Sequence, residues 1–332
     1  ALNIYMEQSA VRDGVTAEEV KGILLGMASG QETLLGYFRR FIRNFEKRVG
    51  INRTVGSLRA YSNAYSHIER FLQAQYKLSD IPFSALDRSF IDKYDLYLRT
   101  ERNLAPGTII NLTVQLKTIV GEAIADGIIT ASPFMGYEPV RPKHVQKYLT
   151  AEELHRIMTT PLHRQTLYHV RDMFLFSCFT GIPYGDMRLL TKDNLCLAED
   201  GIWWIKSARQ KTKIEFEIPL LDLPLQILKK YSGTAPGDKL LPMYCNSTLN
   251  LYLKEIARIC HIDRPLVFHA GRHTYATEIT LSHGVPLETV SRMLGHSQIE
   301  TTQIYAKVTD EKIDADTKAL NRKISERFSV VI

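Results

Sequence analysis

The chain has 332 residues, 45% of them hydrophobic and 23% charged. That is a globular composition, which excludes wholesale disorder and suits two ordinary domains. The formal net charge is +6, with most of the basic surplus beyond residue 140, a balance that weakly favours a polyanionic partner. No run reaches the ~18 apolar residues of a membrane helix and no secretory leader pattern opens the chain, so neither a membrane nor an exported protein is expected. Cys178, Cys196, Cys245 and Cys260 show no CxxC spacing. They read as reduced thiols of a cytoplasmic protein rather than as metal ligands, and no metal and no cofactor is expected.

In chain order, Thr16 to Glu19 has capping-box spacing ahead of Val20, Ile23 and Leu24. Leu34 to Val49 is amphipathic, with Leu34, Leu35, Phe38, Ile42 and Phe45 on one face. Ser57 to Gln75 and Ser89 to Arg99 repeat the pattern, and Thr108 to Ala125 follows a Pro-Gly turn as a long helix. This half reads as a small helical bundle closed by Ser132-Pro133. Pro139 to Tyr148, rich in Pro and basic residues and without apolar periodicity, reads as an extended linker. A second capping box, Thr150 to Glu153, opens a new domain. Gly201 to Ser207 and Ile214 to Pro219 flank the basic turn Ala208 to Lys213 as a hairpin, and helices resume from Leu223. The fold class is therefore mainly α with a small antiparallel β-sheet.

Phosphate loops, dinucleotide fingerprints, HExxH and GxSxG are absent. A set of polar residues stands out late in the chain instead. His269 and Arg272 are three apart. Leu294-Gly295-His296 ends a helix in a tight turn. Tyr305 follows nine residues later, and upstream Lys211 sits in the hairpin turn. Singly, each has an ordinary reading as a surface pair, a helix cap, a rim aromatic or a solvated lysine. Their order and spacing together do not.

The stretches TGI at Thr180 with Asp186 and Leu189-Leu190, RQKTKIEFEIPL from Arg209, FHAGRHTYAT from Phe268 and LGHSQIETTQIYA from Leu294 resemble the tyrosine recombinase (phage integrase) family. SLRAYSNAYSHIERFL and GTIINLTVQLKTIVGEAIADGIITASPF are similar to the first and last long helices of that family's core-binding domain. The likeness extends over residues 33–320 and is greatest to integrases of bacterial conjugative transposons and other mobile elements. It implies a helical, SAM-like core-binding domain (33–138), a linker (139–149), an α+β catalytic domain (150–312) and a C-terminal tail helix (313–332), the two domains clamping DNA. Residues 1–32, which begin with Ala, are expected to be an N-terminal helical segment, a remnant of or linker from an arm-binding domain.

The resemblance also implies a chemistry. Tyr305 is the nucleophile and forms a 3′-phosphotyrosyl intermediate. Arg272 binds two phosphate oxygens with its planar fork. His269 and His296 supply further donors or proton transfer, and Lys211 is the general acid for the leaving 5′-oxygen. One position departs from the pattern: the first catalytic arginine is replaced by Pro183, in TGIPYGDM. Arg171, Arg188 and Arg209 are the candidate replacements, and Arg171 is favoured because the apolar helix behind it would pin it. Asp186 is expected to orient a cationic neighbour.

DNA contacts are expected from Arg53 and Arg59, from Thr108, Asn111 and Gln115 on one helical stripe with Lys117 beside it, and from Arg141, Lys143 and Lys147 in the linker. The expected function is site-specific integration and excision of a mobile element through a Holliday junction. The expected assembly is a homotetramer on double-stranded DNA in the bacterial cytoplasm. The tail docks on a neighbouring subunit in preference to folding back, and accessory DNA-bending proteins are admitted as partners. Two rivals stay open: a catalytically impaired DNA-binding relative, suggested by Pro183, and a type IB topoisomerase.

Overall fold

The computed structural model describes residues 32–142, 147–305 and 310–325. The capping box at Thr16, the linker residue Lys143 and the tail residue Phe328 lie outside the described residues. The chain divides into two compact units at residues 144/145.

Among the described residues the first unit contains four α-helices: α1 (Leu34–Glu46), α2 (Val55–Phe71), α3 (Arg88–Thr100) and α4 (Pro106–Ala125). Each begins where the sequence supplies a partner for the orphan amides of the first turn. Asp80 accepts from the amides of Leu35 and Gly36 at 2.8 and 3.0 Å. Thr54 caps α2 through Ser57 N, and Asp87 caps α3 through Phe90 N. Pro106 occupies the first turn of α4, where no amide is needed. The helices bury one continuous apolar core, centred on Phe71, whose ring packs 5.1–5.3 Å from Phe90, Tyr94 and Tyr97. α1 ends at Glu46, three residues before the expected end. A π-helical turn, Leu72–Tyr76, continues α2 and closes on Lys77 in the left-handed conformation.

The second unit begins with α5 (Ala151–Thr159), opened by the expected capping box. Thr150 Oγ1 accepts from Glu153 N, and Glu153 returns the bond to Thr150 N. The central helix α6 (Gln165–Thr180) is apolar nearly all round and buried, as a helix packed on several sides must be. Arg264 braces the entry to this unit by donating to Tyr148 O and to the Glu153 carboxylate. After the short α7 (Tyr184–Met187) come three antiparallel strands in the order β1 (Leu195–Leu197), β2 (Trp203–Ala208), β3 (Glu215–Pro219). Ile205 pairs with both Leu195 and Ile218, so the alternation of β2 and β3 turns Ile205, Phe216 and Ile218 into the core. β1 is too short and too unpatterned to be expected from sequence. The remaining α-helices of the described residues are α8 (Asp222–Lys230), α9 (Asn246–Ile259), α10 (Ala270–Thr274) with a π-helical extension Tyr275–Thr280, α11 (Leu287–Leu294), α12 (Glu300–Gln303) and α13 (Asp310–Ser325). A small separate core of Tyr275, Ala276, Val290, Leu294 and Tyr305 joins α10, α11 and the segment after α12. On α13, Leu320 and Ile324 remain exposed.

Candidate active site

A cavity of about 840 Å³ opens in the second unit and gathers the late polar residues with the hairpin: Arg209, Lys211, His269, Arg272, His296 and Tyr305 all line it. Among the described residues no group of three or more His, Cys, Asp or Glu side chains is arranged to hold a metal ion.

Arg272 is the hub. Its side chain is almost wholly buried, and backbone carbonyls substitute for the lost hydration. Nη1 donates to Gly181 O at 2.8 Å and Nη2 to Leu294 O at 2.6 Å. Both carbonyls lie at helix C-termini, where the helix dipole and unpaired carbonyls favour a cation. Both ends are formed by glycine. Gly181 has φ +69°, and an added Cβ would lie 2.4 Å from the Tyr275 ring. Gly295 has φ +63°, and an added Cβ would lie 2.9 Å from Arg209 Cγ. The left-handed turn and the close approach each demand glycine there. Burial, reinforced by Arg209, lowers the Arg272 pKa to about 10, which still leaves the guanidinium charged near neutral pH.

Arg209 follows β2 and reaches the same helix end. Its Nη1 donates to Leu294 O at 3.0 Å, and its Nε pairs with Asp186 Oδ2 at 2.6 Å. Two guanidinium groups therefore converge on one carbonyl, facing one cavity. Asp186, buried at the start of α7, also accepts from Gln210 N at 2.9 Å through its other oxygen. One carboxylate thus fixes both Arg209 and the base of the hairpin that carries Lys211. Lys211 itself is exposed at the cavity rim.

Tyr305 is buried between two imidazoles. His296 stacks parallel to it with centroids 6.3 Å apart, and His273 meets it edge-on at 5.1 Å. Burial raises the Tyr305 pKa, while Arg272 and Arg209 pull it down. Loss of hydration, then the neighbouring cations, lowers the pKa of His269 and takes that of His296 to about 4. Burial together with His269 takes that of His273 to about 4 as well. The motif residues alone do not single out His273. Its signal was its place four residues after His269, on the same helical face, where the two rings meet at 4.8 Å.

The phage integrase family model matches residues 147–312, and the phage integrase SAM-like domain model matches residues 33–139. The chain belongs to the phage integrase family. As such it is a tyrosine-type recombinase, a DNA strand-cleaving and -rejoining enzyme. It is similar to tyrosine recombinase XerD of Listeria monocytogenes, with 25% identity over 273 residues, covering 77% of this chain and 89% of that one. It is also similar to XerD of Staphylococcus saprophyticus, with 26% identity over 297 residues, covering 85% and 96%. Its fold matches the Tn1549 transposon integrase in complex with transposon right end DNA (TM-score 0.67, 19% identity, 87% of this chain and 99% of that one). It matches equally a lambda integrase dimer bound to a COC′ core site (TM-score 0.67, 18% identity, 84% and 100%).

Not every residue expected in the recombinase site is there. Arg171, the favoured replacement for the arginine missing at Pro183, turns away from the cavity. Its Nη1 donates to Met158 O and Thr160 O at 3.2 and 3.3 Å, and its guanidinium lies 4.7 Å over the Tyr168 ring. It caps the C-terminus of α5, whose unpaired carbonyls attract a cation. The apolar helix does pin it, on the wrong side. Arg188 is exposed and does not line the cavity. Of the three candidates Arg209 alone lines the cavity.

In the helical unit, Arg53, Arg59, Thr108 and Asn111 are exposed and Gln115 is half-buried. Arg53 lies 5.4 Å over the Phe45 ring. Thr108, Asn111 and Gln115 do form one stripe of α4. Lys117 is exposed but not beside it: two residues past Gln115 is about 200° around the helix. Arg141 is exposed, and Lys147 belongs to the rim of the active-site cavity.

Proposed function

We propose that this recombinase integrates and excises a mobile element at specific DNA sites, with Tyr305 as nucleophile. Tyr305 Oη, its proton released to solvent, attacks the scissile phosphorus, a 3′-phosphotyrosyl bond forms, and the bond to the 5′-oxygen breaks. Lys211, on the hairpin at the cavity rim, protonates that leaving oxygen. A 5′-hydroxyl of a partner strand then attacks the phosphotyrosine and releases Tyr305. Arg272 and Arg209 meet the charge that develops on the non-bridging oxygens, with His269 beside them. Strand exchange proceeds through a Holliday junction in a tetramer on DNA, with the tail from residue 313 docked on a neighbour. The exposed Leu320 and Ile324 support that tail reading over folding back.

The observation that carries the proposal is the convergence of two guanidinium groups, Arg272 buried and Arg209 half-buried, and Tyr305 on one cavity despite Pro183. It speaks against the impaired-relative reading, because Arg209 lies where a second cation could meet the phosphate. The test is covalent trapping on a library of nicked duplexes in EDTA. An SDS-resistant adduct is expected, abolished in Tyr305→Phe. DNA binding without an adduct would count against the proposal. A topoisomerase would relax supercoiled DNA yet fail to resolve synthetic four-way junctions.

A further inference from the structure

His296 is held at both ring nitrogens. Nε2 lies 2.9 Å from Arg272 Nη2. A guanidinium has donors only, so Nε2 must be the acceptor in that contact. The ring is therefore neutral and carries its hydrogen on Nδ1. That nitrogen lies 2.7 Å from Thr302 Oγ1, which accepts from it. Thr302 is completely buried on α12, anchored by its amide on Ile299 O at 2.7 Å. It sits one helical turn before Tyr305, whose amide in turn donates to Thr302 O at 3.0 Å. One residue thus touches the ring of His296 through its side chain and the nucleophile through its backbone.

We propose that Thr302 is a positioning residue for strand cleavage, which holds the His296 ring, in the Nδ1–H tautomer that Arg272 imposes, beside the nucleophile. The inference rests on the reading of Tyr305 as nucleophile and extends it. Nε2 carries one in-plane lone pair, and the Arg272 N–H occupies it. A hydroxyl both donates and accepts, so Thr302 does not choose the tautomer; by accepting from Nδ1 it fixes the angle of a ring that lies parallel to that of Tyr305, and with it the Nη2 end of the Arg272 fork. No proton changes place in this role. The low pKa of His296 fits a neutral ring.

The first test does not depend on catalysis. The full chain, with ¹⁵N-labelled histidine, is examined by two-bond ring correlation NMR, and His296 is assigned by the signal lost in His296→Gln. A pyrrole-type Nδ1 and a pyridine-type Nε2 are expected, and Thr302→Val should shift the Nδ1 resonance as its hydrogen bond is lost. An Nε2–H form in the native chain, or an Nδ1 resonance unchanged in Thr302→Val, overturns the proposal. The second test is single-turnover cleavage at saturating DNA. Thr302→Val should lose about 10- to 100-fold, the usual effect of removing a group that orients a functional imidazole. Thr302→Ser, which keeps the hydroxyl, should stay within about threefold, and both should keep the native DNA affinity. Equal losses in Val and Ser, or none in Val, would sink the positioning role. An adduct that survives Tyr305→Phe would instead overturn the nucleophile assignment and leave the tautomer result standing.

Discussion

The helical unit and the catalytic unit use their arginines in opposite ways. In the helical unit Arg53 and Arg59, the cations proposed to meet DNA, stand exposed on a bundle whose core is built without them. In the catalytic unit Arg272 and Arg209 are largely buried and fixed on one carbonyl at the end of α11, with a buried carboxylate behind Arg209. Exposed cations contribute to binding by summation, each one modest and screened by salt. Buried cations act as a unit, because a preorganised charge in a water-poor cavity needs no rearrangement when the phosphate becomes more negative. Losses in the first unit should therefore be graded, and losses in the second steep.

The steepest expected loss after that of Tyr305 is at Arg209. Arg209→Ala should slow cleavage about 100- to 1000-fold with DNA affinity nearly kept, read by single-turnover adduct formation. Arg171→Ala should cleave at the native rate. Its cost should appear in a denaturant melt, about 1–2 kcal/mol for the lost cap on α5. Asp186→Asn removes the charge that orients Arg209 and should slow cleavage about tenfold, with the rate partly lost and the fold kept.

Arg141→Ala should weaken binding by a small factor and reduce the slope of log affinity against log salt by about 1 if it meets a phosphate. A salt slope that is unchanged in both Arg141→Ala and Arg59→Ala would dissolve the contrast between the units. Acid stability should be the gentlest effect. His273 and His296 have folded pKa values of about 4, below the ordinary 6.5. Between those values the unfolded chain binds more protons than the folded one, so stability falls as pH drops through that window. His296→Gln should flatten that part of the curve of melting temperature against pH.

Much of this was legible in the sequence for identifiable reasons. Helices announced themselves where a capping residue preceded a periodic apolar face, as at Thr150 with Glu153, and the hairpin where alternation flanked a basic turn. Tyr305, Arg272, His269, His296 and Lys211 were found through spacing within recognisable stretches. Arg209 was a named candidate and lost to Arg171, because an apolar helix says that a side chain is pinned without saying toward which neighbour. The deciding contact, Arg209 to Asp186, joins residues 23 positions apart through the turn of a sheet. Thr302 was equally hidden: its bond to His296 spans a helix end and a turn, so no helical spacing marks it. Lys117 differs for another reason: closeness in sequence to Gln115 is not closeness on the helix surface.

The central claim is that Arg209 supplies the charge absent at Pro183. The most direct measurement compares cleavage of a normal scissile phosphate with that of a methylphosphonate, in which one charged oxygen is replaced by a neutral methyl group. An arginine that neutralises phosphate charge becomes dispensable on the neutral linkage. The account predicts that Arg209→Ala is impaired at least about 100-fold relative to the unsubstituted chain on phosphate, and cleaves the methylphosphonate at close to the unsubstituted rate. Equal impairment on both linkages would contradict it, as would rescue that follows Arg171→Ala instead.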